Sequence, residues 1–487
     1  MAYDLLIVGG GINGCAIARE AALNGCSVLL VERDDLGSHT SSASTKLIHG
    51  GLRYLEYYDF PLVAHALRER ERLLRAAPHL IRPMQFVLPH GKGMRPWWLV
   101  RAGLALYDRL GGRSSLPRSR GLKKGDAAYL APLKSAGRGF VYSDAWVDDS
   151  RLCVLNAIDA AANGAEVATR CELLSARREG GEWVAALSDG REVRAAALVN
   201  AAGPWVAELT GKLGVNATAG VRLVKGSHIV VPRLFEGDHS YILQQPDKRI
   251  VFAIPYQGGT AVGTTDVPVD RPEEARIDAD EVEYLCGAVN RWFARQVSPA
   301  DVTSSWSGVR PLYDDGASEA REVTRDYVLE LDMSGPALLS VFGGKITTAR
   351  HLAEEACGKL APALGRRAAR VTRDRPFPGG DAAFAPYLAR VRARWPFLGE
   401  VRAERMARAY GTMLDDMLAD VRDEAGMGRA FGAGLTEVEL RWTRDREWAR
   451  SAGDALDRRS KLGLHLDAAE RAAVEAWWAK ARAPVAA

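Results

Sequence analysis

Residues 9–14 read Gly9-Gly10-Gly11-Ile12-Asn13-Gly14, a G-x-G-x-x-G turn set between the apolar run Leu5–Val8 and a stretch, Gly14–Asn24, with helical apolar spacing at Ile17 and Ala21. No other feature of the chain constrains its fold as much. Gly9 permits a tight turn, Gly11 lets backbone approach a pyrophosphate, and Gly14 allows a helix to pack closely on a strand. The helix N-terminus then offers free N–H groups and the positive end of its dipole to phosphates. A second strand over Ser27–Glu32 ends in Glu32, spaced so that its carboxylate accepts from both ribose hydroxyls and disfavours a 2′-phosphate. Strand, glycine turn, helix, strand and acid in this order predict a parallel, dinucleotide-binding unit.

The 487 residues suffice for two or three domains, and 47% hydrophobic with 26% charged residues is the balance of a globular protein. A net charge of +4 does not mark a nucleic-acid binder, and no nucleic-acid partner is expected. Six cysteines stand singly with no CxxC pair, which argues against a disulfide framework and against structural zinc. No metal is expected, and a reducing, cytosolic setting is. The chain enters a strand-like run at Asp4, so no signal peptide is expected. No apolar run approaches the ~18 residues of a membrane span, so any membrane contact must be peripheral.

Pro61 opens a helix to about Ala76, a second helix covers Arg151–Asn163, and strand-like runs end at Ala196–Ala201 after an Asp189-Gly190 turn. Val221–Thr265 is strand-rich, with Gln257-Gly258-Gly259 as a hairpin turn. Ala337–Phe342 reads as a buried strand, followed by Gly343-Gly344 and a helix over Lys345–Leu360. Asp374–Asp381 looks like a linker, and the rest reads as helical with almost no strand signal. The division predicted is a discontinuous FAD-binding domain (1–80, 138–215, 308–372), a substrate domain (81–137, 216–307) and a helical C-terminal domain (380–487). The late return of strand, glycine pair and helix favours FAD over NAD. An NAD domain does not need it, whereas a flavoprotein can use it to close over the isoalloxazine ring.

Several longer blocks carry a resemblance: Thr40–Glu56 (TSSASTKLIHGGLRYLE), Tyr142-Ser143-Asp144, Lys225–Val231, Val262–Asp266, Ser307–Leu312, Thr324–Tyr327 and Val341–Thr348. Together they resemble FAD-dependent glycerol-3-phosphate dehydrogenases of the bacterial, aerobic respiratory type. The resemblance implies an α/β fold: a glutathione-reductase-like, Rossmann-type FAD domain, an inserted mixed-sheet substrate domain and an all-helical cap. It also implies oxidation of sn-glycerol 3-phosphate to dihydroxyacetone phosphate, with electrons passed to ubiquinone or menaquinone at the cytoplasmic face of the inner membrane.

A doubly charged phosphate ester requires cationic donors, and Arg53, Arg310, Arg325 and Lys345 all fall inside these blocks. Some are expected to bind the phosphate, while Arg310 or Arg53 polarises the hydroxyl end. The blocks add Tyr54, Thr265 and Tyr327 to the substrate set. Oxidising the secondary alcohol moves a hydride from C2 to flavin N5 and removes the hydroxyl proton. A histidine titrating near ~6.5 suits the proton. His49, beside Gly50-Gly51, is the first choice, because the matching histidine of related glycerophosphate oxidases is placed at the flavin; His228 is the rival. A core histidine remains the alternative for each. Thr40, Ser41, Ser42 and Ser44 are expected to hold the diphosphate or flavin edge. The cofactor set is completed by Gly9, Gly11, Asn13, Gly14, Glu32, Lys46, Leu47, His49, Gly50, Gly203, Gly343, Gly344, Lys345 and Thr347.

In Met94–Leu110, helical spacing puts Leu99, Val100, Gly103, Leu106, Tyr107 and Leu110 on one face, after a Trp97-Trp98 pair and before Arg113, Arg118, Arg120, Lys123 and Lys124. Met94–Leu110 therefore suits a helix lying on an anionic membrane surface or one packed on the protein core, and the resemblance favours peripheral attachment through segment 94–124. A soluble glycerol-3-phosphate oxidase that makes hydrogen peroxide is the alternative function. The oligomeric state stays open, with a homodimer allowed.

Overall fold

The structure, a computed structural model, describes residues 2–91, 94–123, 125–135, 137–215, 220–314 and 326–482. Arg325 and Lys124 lie outside the described residues. Five parallel strands run in the order Ala337–Phe342, Glu192–Asn200, Ala2–Val8, Val28–Glu32, Glu166–Thr169. They are nearly unbroken apolar runs because both faces are covered, as a parallel sheet requires. From Ala2–Val8 the chain goes first to one neighbour, Val28–Glu32, and much later to the other, Glu192–Asn200. The strand order thus reverses at the glycine turn, and the crevice at such a reversal is where open α/β sheets bind ligands. Glu192–Asn200 uses one edge twice: its first half pairs antiparallel with Glu182–Leu187, its second half parallel with Ala337–Phe342.

The fingerprint helix, Ile12–Leu23, is buried between the helices Asp149–Ala162 and Ala349–Leu360. That burial extends to Arg19, whose guanidinium meets Asp159 at 2.7 Å. The last of these helices begins four residues later than expected, because Lys345–Thr348 close a turn through Thr348 N–H on the Lys345 carbonyl (3.0 Å).

A second, mostly antiparallel sheet is built on Gly220–Val231, flanked by Ser304–Asp314 on one edge and Gly259–Gly263 on the other. It continues through Ile250–Tyr256, Ser240–Gln244, Ile81–His90, Arg138–Val147 and the short Leu47–Ile48. Gln257 (φ 48°) and Gly258 (φ 86°) make a two-residue hairpin turn within the predicted Gln257-Gly258-Gly259, Gly259 already opening the next strand. Three strands lie across the expected division. Leu47–Ile48, Arg138–Val147 and the greater part of Ser304–Asp314 fall where the FAD domain was predicted, yet they pair in the second sheet. Sheet membership depends on partners far along the chain, which local pattern does not carry.

The C-terminal part is helical (Phe384–Arg394, Gly399–Tyr410, Glu437–Arg446, Ala468–Arg482), with one departure: Ala430–Gly432 and Leu435–Thr436 form a small hairpin. Gly432 and Gly434, at φ 102° and 75°, supply its turn. Buried ion pairs clamp this part to the loop after Val28–Glu32 and to the helix Asp149–Ala162, among them Arg459 to Asp35 at 2.7 Å and Arg151 to Glu447 at 2.5 Å.

The surface helix runs Trp97–Leu110, turned differently from the expectation. Leu104 and Tyr107 are buried, with Trp97, Val100 and Leu110 partly so, while Trp98, Leu99 and Leu106 face outward. The buried partners of Tyr107, described below, decide this rotation. Among the described residues no helix is long and apolar enough to cross a membrane.

Candidate active site

The glycine turn leaves no room for side chains. A Cβ on Gly14 would lie 1.9 Å from the Gly9 carbonyl oxygen, and one on Gly9 2.4 Å from that of Ala201. Over Gly11 the space is open except for Ser41 Oγ at 3.1 Å. Ser41 Oγ accepts from Ile12 N–H at the helix N-terminus (2.9 Å). Glu32 is buried and braces the turn, accepting from Gly10 N–H (2.6 Å) and Asp34 N–H (2.8 Å); burial pushes its carboxyl pKa up. From here a cleft runs past Thr40 and Ser41 to Gly203 and Trp205. Arg33 stacks on the Trp205 ring at 4.1 Å, and His39 meets its edge at 4.8 Å. Gly203, at φ 57° with no neighbour to crowd a side chain, keeps the far wall low. Asn13 Nδ2 donates to the Gly343 carbonyl (3.1 Å), whereas its Oδ1 is buried without a partner among the described residues. A side-chain-free turn, a helix N-terminus and an unpartnered buried acceptor fit a dinucleotide diphosphate.

Five of the expected cofactor residues are occupied within the protein. Lys46, buried and with its pKa lowered by that burial, pairs with Asp149 at 2.9 Å and donates to the Ser42 carbonyl at 3.0 Å. Ser44 Oγ donates to the same carboxylate (2.8 Å), and Lys461 approaches it at 3.8 Å. They shape the loop from within. Leu47 packs in the core of the second sheet, and Thr40 Oγ1 donates to the Val309 carbonyl (2.7 Å). Ser42 Oγ donates to the His39 carbonyl (3.2 Å).

Next to this loop stand His49, Gly50 and Gly51. The His49 amide approaches Thr347 Oγ1 (3.4 Å), Gly50 N–H donates to the Tyr107 hydroxyl (2.8 Å), and Gly51 N–H donates to His49 Nδ1 (3.1 Å). Burial first, then the nearby Lys345 ammonium, lowers the His49 pKa to about 4. Gly51 has φ 72°, and Tyr54 folds back over it so closely that a Cβ would lie 2.3 Å from the ring. Lys345 Nζ sits 4.2 Å from the centre of that ring. Arg53 is half-exposed in the same turn.

Arg310 Nη2 donates to Thr264 Oγ1 (3.0 Å) and its Nη1 to Asp266. It closes over Gly226, where a Cβ would meet the guanidinium at 2.4 Å. His228 stacks on Trp306 (5.0 Å, 12°) and bonds Thr45 through Nε2 (3.1 Å); burial, then Arg310, holds its pKa well below the usual imidazole value. Phe252, 6.4 Å from the His49 ring and paired in register with Gly263, links the two groups.

Thr265 and Tyr327 point away from this chemistry. Thr265 Oγ1 donates to the buried Glu281 (2.6 Å) and accepts from Ser227 N–H (2.9 Å), and Tyr327 donates to Glu355 (2.7 Å). Sequence reasoning named Tyr107 only as part of a membrane-facing helix and did not single out Asp266, Thr264, Asp144 or Trp205. Asp266, Thr264 and Asp144 lie inside quoted blocks, which was a usable signal; Trp205 had none.

Residues 4–350 match the FAD dependent oxidoreductase family, and residues 370–479 match the C-terminal domain of alpha-glycerophosphate oxidase. The chain belongs to the FAD-dependent oxidoreductases, and its cofactor is FAD. It is 49% identical to a glycerol-3-phosphate dehydrogenase of Pseudomonas aeruginosa (96% of this chain, 93% of that one) and 48% identical to the D-erythritol 1-phosphate dehydrogenase of Brucella abortus (98% and 97%). Against the aerobic glycerol-3-phosphate dehydrogenase of Escherichia coli the identity is 46%, covering 97% of each chain. The crystal structure of glycerol-3-phosphate dehydrogenase from Bacillus halodurans, complexed with FAD, superposes with a TM-score of 0.76 at 26% identity over 98% of this chain and 94% of that one.

Proposed function

We propose that the protein oxidises sn-glycerol 3-phosphate to dihydroxyacetone phosphate and delivers the electrons to a membrane quinone. The observation that carries this reading is the gathering of Lys345 and Tyr54 around a neutral imidazole, His49, on the loop that meets the nucleotide turn. Arg53, Arg310 and, in the same block as Tyr327, Arg325 supply further cations for a phosphate dianion. When bound, FAD accepts the hydride from C2 of the substrate. Gly51 N–H donates to His49 Nδ1, so the neutral ring carries its hydrogen on Nε2. His49 then donates from Nε2 to the oxygen at C2, a different role from the proton acceptor expected from sequence, and the hydroxyl proton passes to solvent water as the hydride leaves C2. Arg310, oriented by Thr264 and Asp266, places a planar charge at the other group.

Delivery to quinone needs a lipid surface. Trp98 is 68% exposed, and Leu99 and Leu106 lie beside it on the outer face of Trp97–Leu110. The turn Leu52–Tyr57 packs against that helix, and it continues into the exposed Tyr58 and Phe60. Arg95 and Arg109 flank these apolar side chains, a composition suited to anionic headgroups at the cytoplasmic face of the inner membrane.

Anaerobic addition of glycerol 3-phosphate is expected to bleach the flavin spectrum, and a quinone analogue to restore it faster than oxygen does. An unbleached flavin overturns the reading, and rapid peroxide formation with a poor quinone rate supports the oxidase instead. A second reading, oxidation of a four-carbon polyol phosphate, is favoured by the 48% identity to the erythritol phosphate enzyme. Competing the two substrates by kcat/KM separates them.

A further inference from the structure

Three consecutive backbone amides, those of His49, Gly50 and Gly51, each face a side-chain acceptor, and the three acceptors come from different parts of the chain. The middle one is the least expected. Tyr107 reaches inward from the surface helix, and its hydroxyl accepts from Gly50 N–H at 2.8 Å while donating to the Asp144 carboxylate at 2.8 and 3.0 Å. Asp144 is 1% exposed and is itself held by Arg70 (2.7 Å), which also donates to the Ser143 carbonyl (3.1 Å) and to Glu71 (2.9 Å). Glu71 in turn accepts from Ser114 and Ser115, just past the end of the same helix. The carboxylate fixes the direction of the phenol hydrogen, so the oxygen's free lone pair faces Gly50. A hydroxyl donating to an anion is also a stronger acceptor than a free one.

Two glycines in succession have few conformational limits of their own. Gly50 is confined from outside: a Cβ there would lie 2.6 Å from Leu67 and 2.7 Å from the Tyr107 oxygen, so backbone and hydroxyl are in direct contact. We infer that Tyr107, oriented by Asp144, is a positioning residue for the reaction: its hydroxyl fixes the peptide joining His49 to Gly50 and thereby decides which ring nitrogen His49 presents to the substrate. The inference rests on the site reading above. With the peptide pinned, Gly51 N–H stays aimed at Nδ1 and the ring hydrogen stays on Nε2. Without the phenol oxygen the Gly50 amide has no protein acceptor, the peptide rotates to find water, and Nδ1 loses its donor. That donor stabilises the neutral ring, so its loss raises the affinity of His49 for a proton.

The test uses the full-length, FAD-loaded protein carrying Tyr107→Phe, which keeps the ring against Tyr142 and removes only the hydroxyl. Hydrogen–deuterium exchange of the peptide covering 47–52 is expected to accelerate. Flavin reduction is expected to slow about tenfold with KM changed less than about twofold, and the acid limb of its pH profile to move up from near 4. Leu104→Ala is the control: it hollows the same helix at a buried position without touching the hydroxyl, and should lower thermal stability while leaving the pH profile in place. Wild-type exchange or a wild-type pH profile in Tyr107→Phe overturns the inference, as does an equal shift in Leu104→Ala. A wild-type flavin that no polyol phosphate reduces sinks the proposed function instead, and the exchange measurement still reads the positioning.

Discussion

Asn13 donates a 3.1 Å hydrogen bond to the carbonyl of Gly343, across 330 residues of sequence. One side chain thus ties the first glycine turn to the glycine pair that follows the last strand of the same sheet. Gly344 lies so close that a Cβ there would sit 2.8 Å from the Asn13 amide nitrogen. The two ends of the nucleotide fold are held together through a contact that only an amide donor can make.

Asn13→Asp turns that donor into an acceptor facing a carbonyl. Two like dipoles then repel, the late loop moves off the turn, and FAD occupancy is expected to fall about tenfold, the effect of roughly 1.4 kcal/mol. The ratio of visible flavin to protein absorbance in purified protein reads this directly, and an unchanged ratio would contradict it.

Arg310→Lys removes a planar fork that engages Thr264 and Asp266 together, and an ammonium cannot make both contacts from the same stem. We expect kcat/KM to drop on the order of a hundredfold, about 2.7 kcal/mol of transition-state stabilisation, with FAD retained. Steady-state kinetics with the flavin content measured alongside decides it.

Burial, then Lys345, holds His49 near 4, and burial lowers His239 to about 4 and His79 to about 3. The unfolded chain protonates these rings below ~6.5. Between 6.5 and 4 the unfolded state therefore binds protons that the folded state does not, so their contribution to stability is complete above 6.5 and declines as the pH falls. Melting temperature should drop from pH 7.5 to pH 5. Flavin reduction should show no inflection from His49 over that range, and an inflection near 6.5 that disappears in His49→Gln would show the ring to be an ordinary imidazole.

Asp149 is fully buried between Lys46 and, more distantly, Lys461. Replacing it with Ala strands the buried Lys46 ammonium, while Lys461 keeps Asp148 (3.5 Å) and Ser150 (2.6 Å); the loss is about 3–5 kcal/mol. Denaturant unfolding measures it, and a loss below ~1 kcal/mol would mean that Lys46 finds water.

Trp98→Asp combined with Leu106→Asp puts two carboxylates on the outward face of the surface helix. Cosedimentation with anionic vesicles should weaken more than tenfold, while turnover with a soluble acceptor is unchanged. Undiminished vesicle binding would place the membrane contact elsewhere.

The sequence alone determined the parts of this protein that depend on neighbours a few residues away. The run Leu5–Val8, the glycine turn, the helix behind it and Glu32 form one local unit whose chemistry allows little else. The Gln257-Gly258 turn and the helix after Pro61 are legible for the same reason, and the longer blocks brought Arg310, Lys345 and His49 into view together. Tertiary structure decided what each charged or hydroxylated side chain spends itself on. Lys46 meets Asp149 across 103 residues, Thr265 turns to Glu281, and the surface helix is rolled so that Tyr107 reaches Asp144 and Gly50. A buried polar group must find a partner wherever the folded chain supplies one, and such partners leave no periodic trace in the residues around them.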